Sequence, residues 1–322
     1  MNLRSEFSSP SSTYRGKPFW AWNGKLEKAE LLRQLGVLKD MGMGGVFMHA
    51  RVGLETPYLS KEWFDLIRAC AEESKRLGIE AWLYDEDRWP SGAAGGLVTK
   101  NKAYSQRLLT MEIVAPKKFK RTRDILALFV ASVDGNAATN VRRVMPKEPL
   151  KASSGERVLV FRAKIASETP WFNNQTYVDT LSQKAMAQFI KVTHDAYAKN
   201  AGAYFGRTIP GIFTDEPNYG RECGLRDNAG AAPWTDALPS VFRKRCKYDL
   251  LGHLPALFFR IDGEDFSKAR RDYYDCLTHL FTRNFGKQIY DWCGKHGIDF
   301  TGHLLDEETL RLQADAVGGG LG

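Results

Sequence analysis

One unit recurs along this 322-residue chain: an amphipathic helix, a glycine stop, and a short apolar strand that ends in polar residues. The first copy places Leu31, Leu35, Leu38 and Met41 on one helical stripe, closes at Gly42 and Gly44, and runs into GVFMHAR (45–51). The second opens at Ser60, a fitting N-cap, carries Trp63, Ile67, Cys70 and Ala71 on one face, stops at Gly78, and leads into IEAWLYDEDRWPSG (79–92). A third helical stripe, Leu181, Ala185, Phe189, Val192 and Ala196, precedes PGIFTDEPN (210–218). A fourth, Phe281, Phe285, Ile289 and Trp292, ends at Gly294 and Gly297 before IDFTGHLLDEE (298–308). With PFWAWNG (18–24) at the start, five strands alternate with helices, which implies a parallel sheet with helical crossovers. Two folds satisfy that pattern, a (β/α)8 barrel and a doubly wound open sheet.

Residues 108–166 break the rhythm. LLTMEIVA (108–115), DILALFVASVDGN (124–136), VRRVM (141–145) and ERVLVFRAKI (156–165) read as strands separated by turn residues, an antiparallel β insertion between strands three and four. The expected organisation is residues 1–107 for strands one to three, 108–166 for the insertion, and 167–322 for strands four and five with a following helix over 306–317. A barrel needs eight strands, so five imply an incomplete one, with an edge that a partner or a longer chain would cover.

Composition narrows the function classes. A chain 43% hydrophobic and 26% charged suits a folded domain and excludes wholesale disorder. No run approaches the ~18 apolar residues of a membrane span, and the first residues lack a secretory leader, so the cytoplasm is the expected compartment. The five cysteines (70, 223, 246, 276 and 293) are dispersed and form no CxxC pair, which argues against a disulfide framework or a thiolate zinc site. The net charge of +8 is scattered in short runs such as KKFKRTR (117–123) and RKRCK (243–247), which read as solvated faces rather than a nucleic-acid surface.

Ligands of parallel α/β folds bind at the carboxyl ends of the strands. There the sequence puts His49 and Arg51, then Asp85, Glu86 and Asp87, then Asp215 and Glu216, then His303 with Asp306, Glu307 and Glu308 just beyond. Trp20 and Trp22 lie on strand one, and Trp89 follows strand three. Aromatic faces stack on the apolar face of a pyranose while carboxylates, His and Arg bond its hydroxyls, so this rim suits sugars. Glycoside hydrolysis needs two carboxyl groups, one to protonate the leaving oxygen and one to attack or to activate water. Glu216, beside Asp215 and between apolar residues and Pro217, suits the protonated role. Each feature also has a plainer reading: DED as a solvated turn, TDEP as a helix cap, the histidines as structural, the tryptophan pair as core. The clustered carboxylates at 85–87 and 306–308 are the oxygen ligands a hard cation such as calcium takes, without EF-hand spacing. SGAAGG (91–96) lacks a P-loop lysine but could receive an anion on its backbone N–H groups.

Five blocks extend this reading: PFWAWNGKL, GGVFMHARVGLETPYLSKEWF, AWLYDEDRWPSGAAGG, PWFNNQTYVDTLSQKAMAQFI and PGIFTDEPNYG. They resemble the glycoside hydrolase family 106-like proteins, the α-L-rhamnosidase group, from about residue 17 to the C-terminus. The resemblance implies a (β/α)8 barrel, hydrolysis by paired acidic residues, and a catalytic role for Glu216. It implies a sugar subsite lined by residues 84–87, His49, Arg51 and His303, with Asn173, Tyr177 and Asp179 in the same block. It brings calcium as a candidate ion, and it places the second acidic residue on a later strand, beyond residue 322. The alternatives are a carbohydrate-binding barrel without turnover, and a doubly wound domain that binds a phosphorylated ligand at 92–96.

Overall fold

The computed structural model describes residues 3–220, 224–226 and 228–305. The strands in chain order are β1 (Phe19–Gly24), β2 (Gly45–Leu54), β3 (Glu80–Tyr84), β4 (Arg107–Val114), β5 (Ile125–Asp134), β6 (Ala137–Arg143), β7 (Arg157–Ile165), β8 (Gly211–Asp215), β9 (Gly224–Arg226), β10 (Ala229–Trp234), β11 (Arg260–Ile261) and β12 (Asp299–His303). The α-helices are α1 (Leu3–Ser8), α2 (Lys28–Asp40), α3 (Lys61–Leu77), α4 (Gln183–Val192), α5 (His194–Ala201), α6 (Leu238–Cys246), α7 (Lys268–Phe281) and α8 (Lys287–His296).

Local chemistry sets the helix limits. The Ser60 hydroxyl accepts from the Trp63 N–H at 3.1 Å and starts α3, and Gly78 ends it in the left-handed region at φ 67°. Gly297 ends α8 in the same way, at φ 65°. The third stripe is two helices rather than one. Thr193 turns its hydroxyl onto the Phe189 carbonyl at 2.8 Å and separates α4 from α5. The fourth is also interrupted, by a π-helical turn over 282–286 between α7 and α8.

Five strands form a parallel sheet in the order β1-β2-β3-β8-β12. That is chain order, without the reversal that defines a doubly wound sheet. Pairing aligns Phe19 with Phe47, Phe47 with Trp82, Tyr84 with Phe213, and Asp215 with His303, so these residues share one face. Trp20 and Trp22 take the opposite face, against α2 and α3: Trp20 donates to Gln34, and Trp22 packs edge-on to Trp63 at 5.1 Å.

The sheet is curled. Strands lie ~4.8 Å apart, so β1 and β8 would be about 14 Å apart in a flat sheet. Yet the Phe19 ring sits 4.9 Å from that of Phe213 and 6.0 Å from that of His303 on β12. The Phe19 face is therefore concave and the helices cover the convex side. Among the described residues β1 pairs only with β2, and β12 only with β8, so the sheet stays open.

The second sheet has the order β11-β6-β5-β7-β4-β10-β9 and is antiparallel except for the β11–β6 pair. Its centre is the expected β-rich segment. Its flanks come from later in the chain, from 224–234 and 260–261, so 108–166 supplies only four of the seven strands. AGAAPW on β10 carries a proline and little β-branched surface, which left it without a strand signal. The expected helix over 306–317 lies outside the described residues. Among those described, no helix is long and apolar enough to cross a membrane.

Candidate active site

The carboxyl ends of β2, β3, β8 and β12 bring four polar side chains together on the concave face. Asp215, the last residue of β8, accepts from the Tyr84 hydroxyl at 2.7 Å. Its Oδ2 lies 3.7 Å from His49 Nε2, and its Oδ1 lies 3.9 Å from His303 Nδ1. The His49 ring rests on Tyr84 with centroids 3.7 Å apart, and Phe19 and Phe213 wall the group. Burial alone would raise the Asp215 carboxyl. The adjacent His49 imidazole, the hydrogen bond from Tyr84 and the nearby His303 outweigh it and hold Asp215 below the ordinary carboxylate range. Burial pushes the Tyr84 phenol far up, with the Asp215 charge adding to it, so Tyr84 is a neutral donor.

Glu216 follows directly after β8 and is half-buried. Its φ is 46°, a left-handed conformation that costs a non-glycine residue about 1–3 kcal/mol. The turn is held by its own N–H to the His303 carbonyl at 3.0 Å, and by the Asn218 amide donating to its carbonyl at 3.2 Å. Ser91 fixes the preceding residue from both sides: the Asp215 N–H donates to Ser91 Oγ and the Ser91 N–H donates to the Asp215 carbonyl, each at 2.8 Å.

The acidic run after β3 does something else. Asp85 is fully buried on the convex side, accepts from Ser91 Oγ at 2.5 Å, and has burial pushing its pKa up. Glu86 turns back into its own loop. Its carboxylate accepts backbone N–H groups from Asp87, Gly92, Ala93, Ala94 and Gly95 at 2.5–3.0 Å. Burial pushes this carboxyl up to about 7, against the N–H groups that favour its anion. The anion-binding character of SGAAGG is therefore real, but the anion is the chain's own Glu86, and a phosphate finds those donors occupied. The same contacts answer the calcium expectation at 85–87. Asp85 bonds Ser91, Glu86 bonds the loop and Asp87 bonds Arg88, so the three carboxylates turn to different partners rather than to one shared point. No group of three His, Cys, Asp or Glu able to hold a metal occurs among the described residues, and Asp306, Glu307 and Glu308 lie outside them.

The remaining candidates divide. Arg51 is exposed, with no hydrogen bond or ion pair to another described residue, one pleat beyond His49 on the concave face. Trp22 is buried on the convex face, away from the rim. Tyr177 is buried behind the rim, donating to the Ser91 carbonyl at 2.7 Å. Asp179 accepts from Thr235 at 2.7 Å and caps Leu181, with burial pushing it up to about 6. Trp89 is exposed and meets Trp171 edge-on at 5.6 Å, while Asn173 bonds Asp87 at 3.2 Å and the Gly95 carbonyl at 2.9 Å. Tyr84 entered the sequence reading only as part of the 84–87 segment, and Arg88 and Trp171 were not singled out. For Tyr84 the signal was its spacing, two residues after Trp82 and therefore on the same face.

No family model matches the chain. It is 22% identical over 363 aligned residues to a Formosa agariphila protein named "Putative beta-glucuronidase", which covers 93% of this chain and 30% of that protein. The structure superposes on that of a rhamnosidase from Novosphingobium sp. PP1Y with a TM-score of 0.64 at 15% identity, over 96% of this chain and 48% of that one. The chain shares that rhamnosidase's fold and spans less than half the length of either protein.

Proposed function

We propose that this chain carries the catalytic rim of a glycoside hydrolase related to the family 106-like α-L-rhamnosidases. In this reading its five parallel strands are part of a (β/α)8 barrel. The observation that carries it is the pair at the end of β8, with Asp215 held ionised among His49, Tyr84 and His303 and Glu216 following in a left-handed turn. Strain of that kind persists where surrounding contacts enforce it, which is characteristic of catalytic positions. The two similar proteins, one named for a rhamnosidase activity and one for a glucuronidase, support the glycosidase class.

In this reading Glu216 acts as the acid that protonates the leaving glycosidic oxygen. Asp215 stays negative and stabilises the positive charge that develops on the ring, while His49, Tyr84, His303 and Arg51 hold hydroxyls. No residue is assigned to the carboxylate that attacks C1 or activates water.

The test is hydrolysis of aryl α-L-rhamnosides, aryl β-glucuronides and other aryl glycosides by the wild-type chain and by Glu216→Gln. Turnover that Glu216→Gln abolishes supports the assignment. Turnover that it leaves unchanged removes Glu216 from the role. A sugar that raises the unfolding temperature without any turnover supports a binding barrel instead.

A further inference from the structure

A cleft of about 240 Å³ opens between the loops that follow β2 and β3, lined by Leu54, Thr56, Tyr58, Asp87, Arg88 and Asn173 among others. None of His49, Tyr84, Asp215 or His303 lines it. Its polar side chains lock one another. Asp87 Oδ2 accepts from Arg88 Nε and Nη2 at 3.2 and 3.1 Å and from Asn173 Nδ2 at 3.2 Å. Asn173 Oδ1 in turn accepts from Arg88 Nη2 at 3.2 Å. The loop comes this close to Asp87 because residue 95 is glycine: a Cβ there would lie 2.9 Å from that of Asp87, at a φ of 60°.

This lock leaves two groups unused. Asp87 Oδ1 and Arg88 Nη1 make no hydrogen bond to another described residue, although the Asp87 and Arg88 side chains are only 7% and 20% exposed. A fixed acceptor thus stands beside a fixed donor. Two indoles stand beside Arg88, outside the lining itself: Trp89 is 39% exposed, Trp171 donates to the Trp89 carbonyl at 2.6 Å, and the Arg88 guanidinium lies 6.0 Å over the Trp171 ring.

These features select a ligand class. A wholly apolar ligand would desolvate Asp87 Oδ1 and Arg88 Nη1 without replacing their water. An anion would meet a carboxylate and an arginine already neutralised by it. A neutral sugar satisfies both groups, because adjacent hydroxyls donate to Asp87 Oδ1 and accept from Arg88 Nη1 while a C–H face packs on indole. We propose that this cleft is a second sugar subsite, which holds an uncharged pyranose residue outside the Asp215 group. The assignment rests on the glycosidase reading for its context, but its test does not need turnover.

The experiment is a tryptophan-fluorescence titration of the full chain with methyl α-L-rhamnoside, methyl α-D-glucoside and methyl β-D-glucuronide. A saturable response to a neutral glycoside is expected, at least about tenfold weaker for the glucuronide. Trp89→Ala should abolish the response, and Asp87→Asn should weaken binding by about tenfold or more. Asp215→Asn should leave it in place. Trp89 is exposed, so Trp89→Ala keeps the test valid should Asp87→Asn fold poorly. A response that survives both changes, equal binding of the glucuronide, or no response to either neutral glycoside overturns the proposal. Absent turnover with an intact response would count against the glycosidase reading alone.

Discussion

Two acidic runs end neighbouring parallel strands and have opposite fates. After β3, Asp85 and Glu86 turn inward, to Ser91 and to five backbone N–H groups. After β8, Asp215 faces the concave side among imidazoles and a phenol, and Glu216 follows in a left-handed turn. Composition does not separate DED from TDE. Backbone does: a glycine-rich loop that doubles back offers its N–H groups to the first run, whereas the second is followed by Pro217, which donates none. The Glu86 carboxylate is taken up by its own loop, whereas Asp215 is held by side chains from other strands on the concave face.

That contrast can be broken by experiment. The largest effect is expected for Glu216→Gln, which should cut glycosidase turnover by about 10²–10⁴-fold while the unfolding temperature hardly moves; kinetics and calorimetry on one preparation check both. Glu86→Ala should do the reverse. It orphans several buried N–H groups and should cost about 3–5 kcal/mol in denaturant unfolding, with turnover per folded molecule retained.

A smaller, graded effect concerns His194 on the convex side, whose pKa burial pulls down to about 3. Between the ordinary histidine value and 3 the unfolded chain binds a proton that the folded one does not, so this group's contribution is full above pH ~6.5 and is lost as pH falls towards 3. The slope from one such group is at most about 1.4 kcal/mol per pH unit, and His194→Phe should flatten the measured stability profile over that range. Smallest is Trp22→Phe, which should cost about 1–2 kcal/mol of stability through lost packing on Trp63 and leave sugar affinity unchanged.

Much of this architecture was legible because it obeys simple periods. The helix stripes, the Ser60 cap, the stops at Gly78 and Gly297, and all five parallel strands follow from spacing and turn chemistry. The break at Thr193 was not legible, because a threonine continues a helical stripe equally well until its hydroxyl takes the Phe189 carbonyl. Nor were β9, β10 and β11, which have little period-two pattern of their own and are held by pairing, β9 on β10, β10 on β4 and β11 on β6. At the site, position at strand ends was enough to expect His49, Asp215 and His303 near one another, and both histidines lie within 4 Å of Asp215. It failed to say which way a side chain faces. Trp20 and Trp22 share a face by alternation, but only the packing on α2 and α3 shows that this face is the convex one.

The most direct measurement sets Glu86→Gln beside Glu216→Gln and reads unfolding temperature and turnover for each. The expected result is a crossed pattern, in which the first variant melts lower yet works per folded molecule and the second melts like wild type yet does not. A Glu86→Gln chain that is stable but inactive, or a Glu216→Gln chain as active as wild type, would contradict the division between the two strand ends.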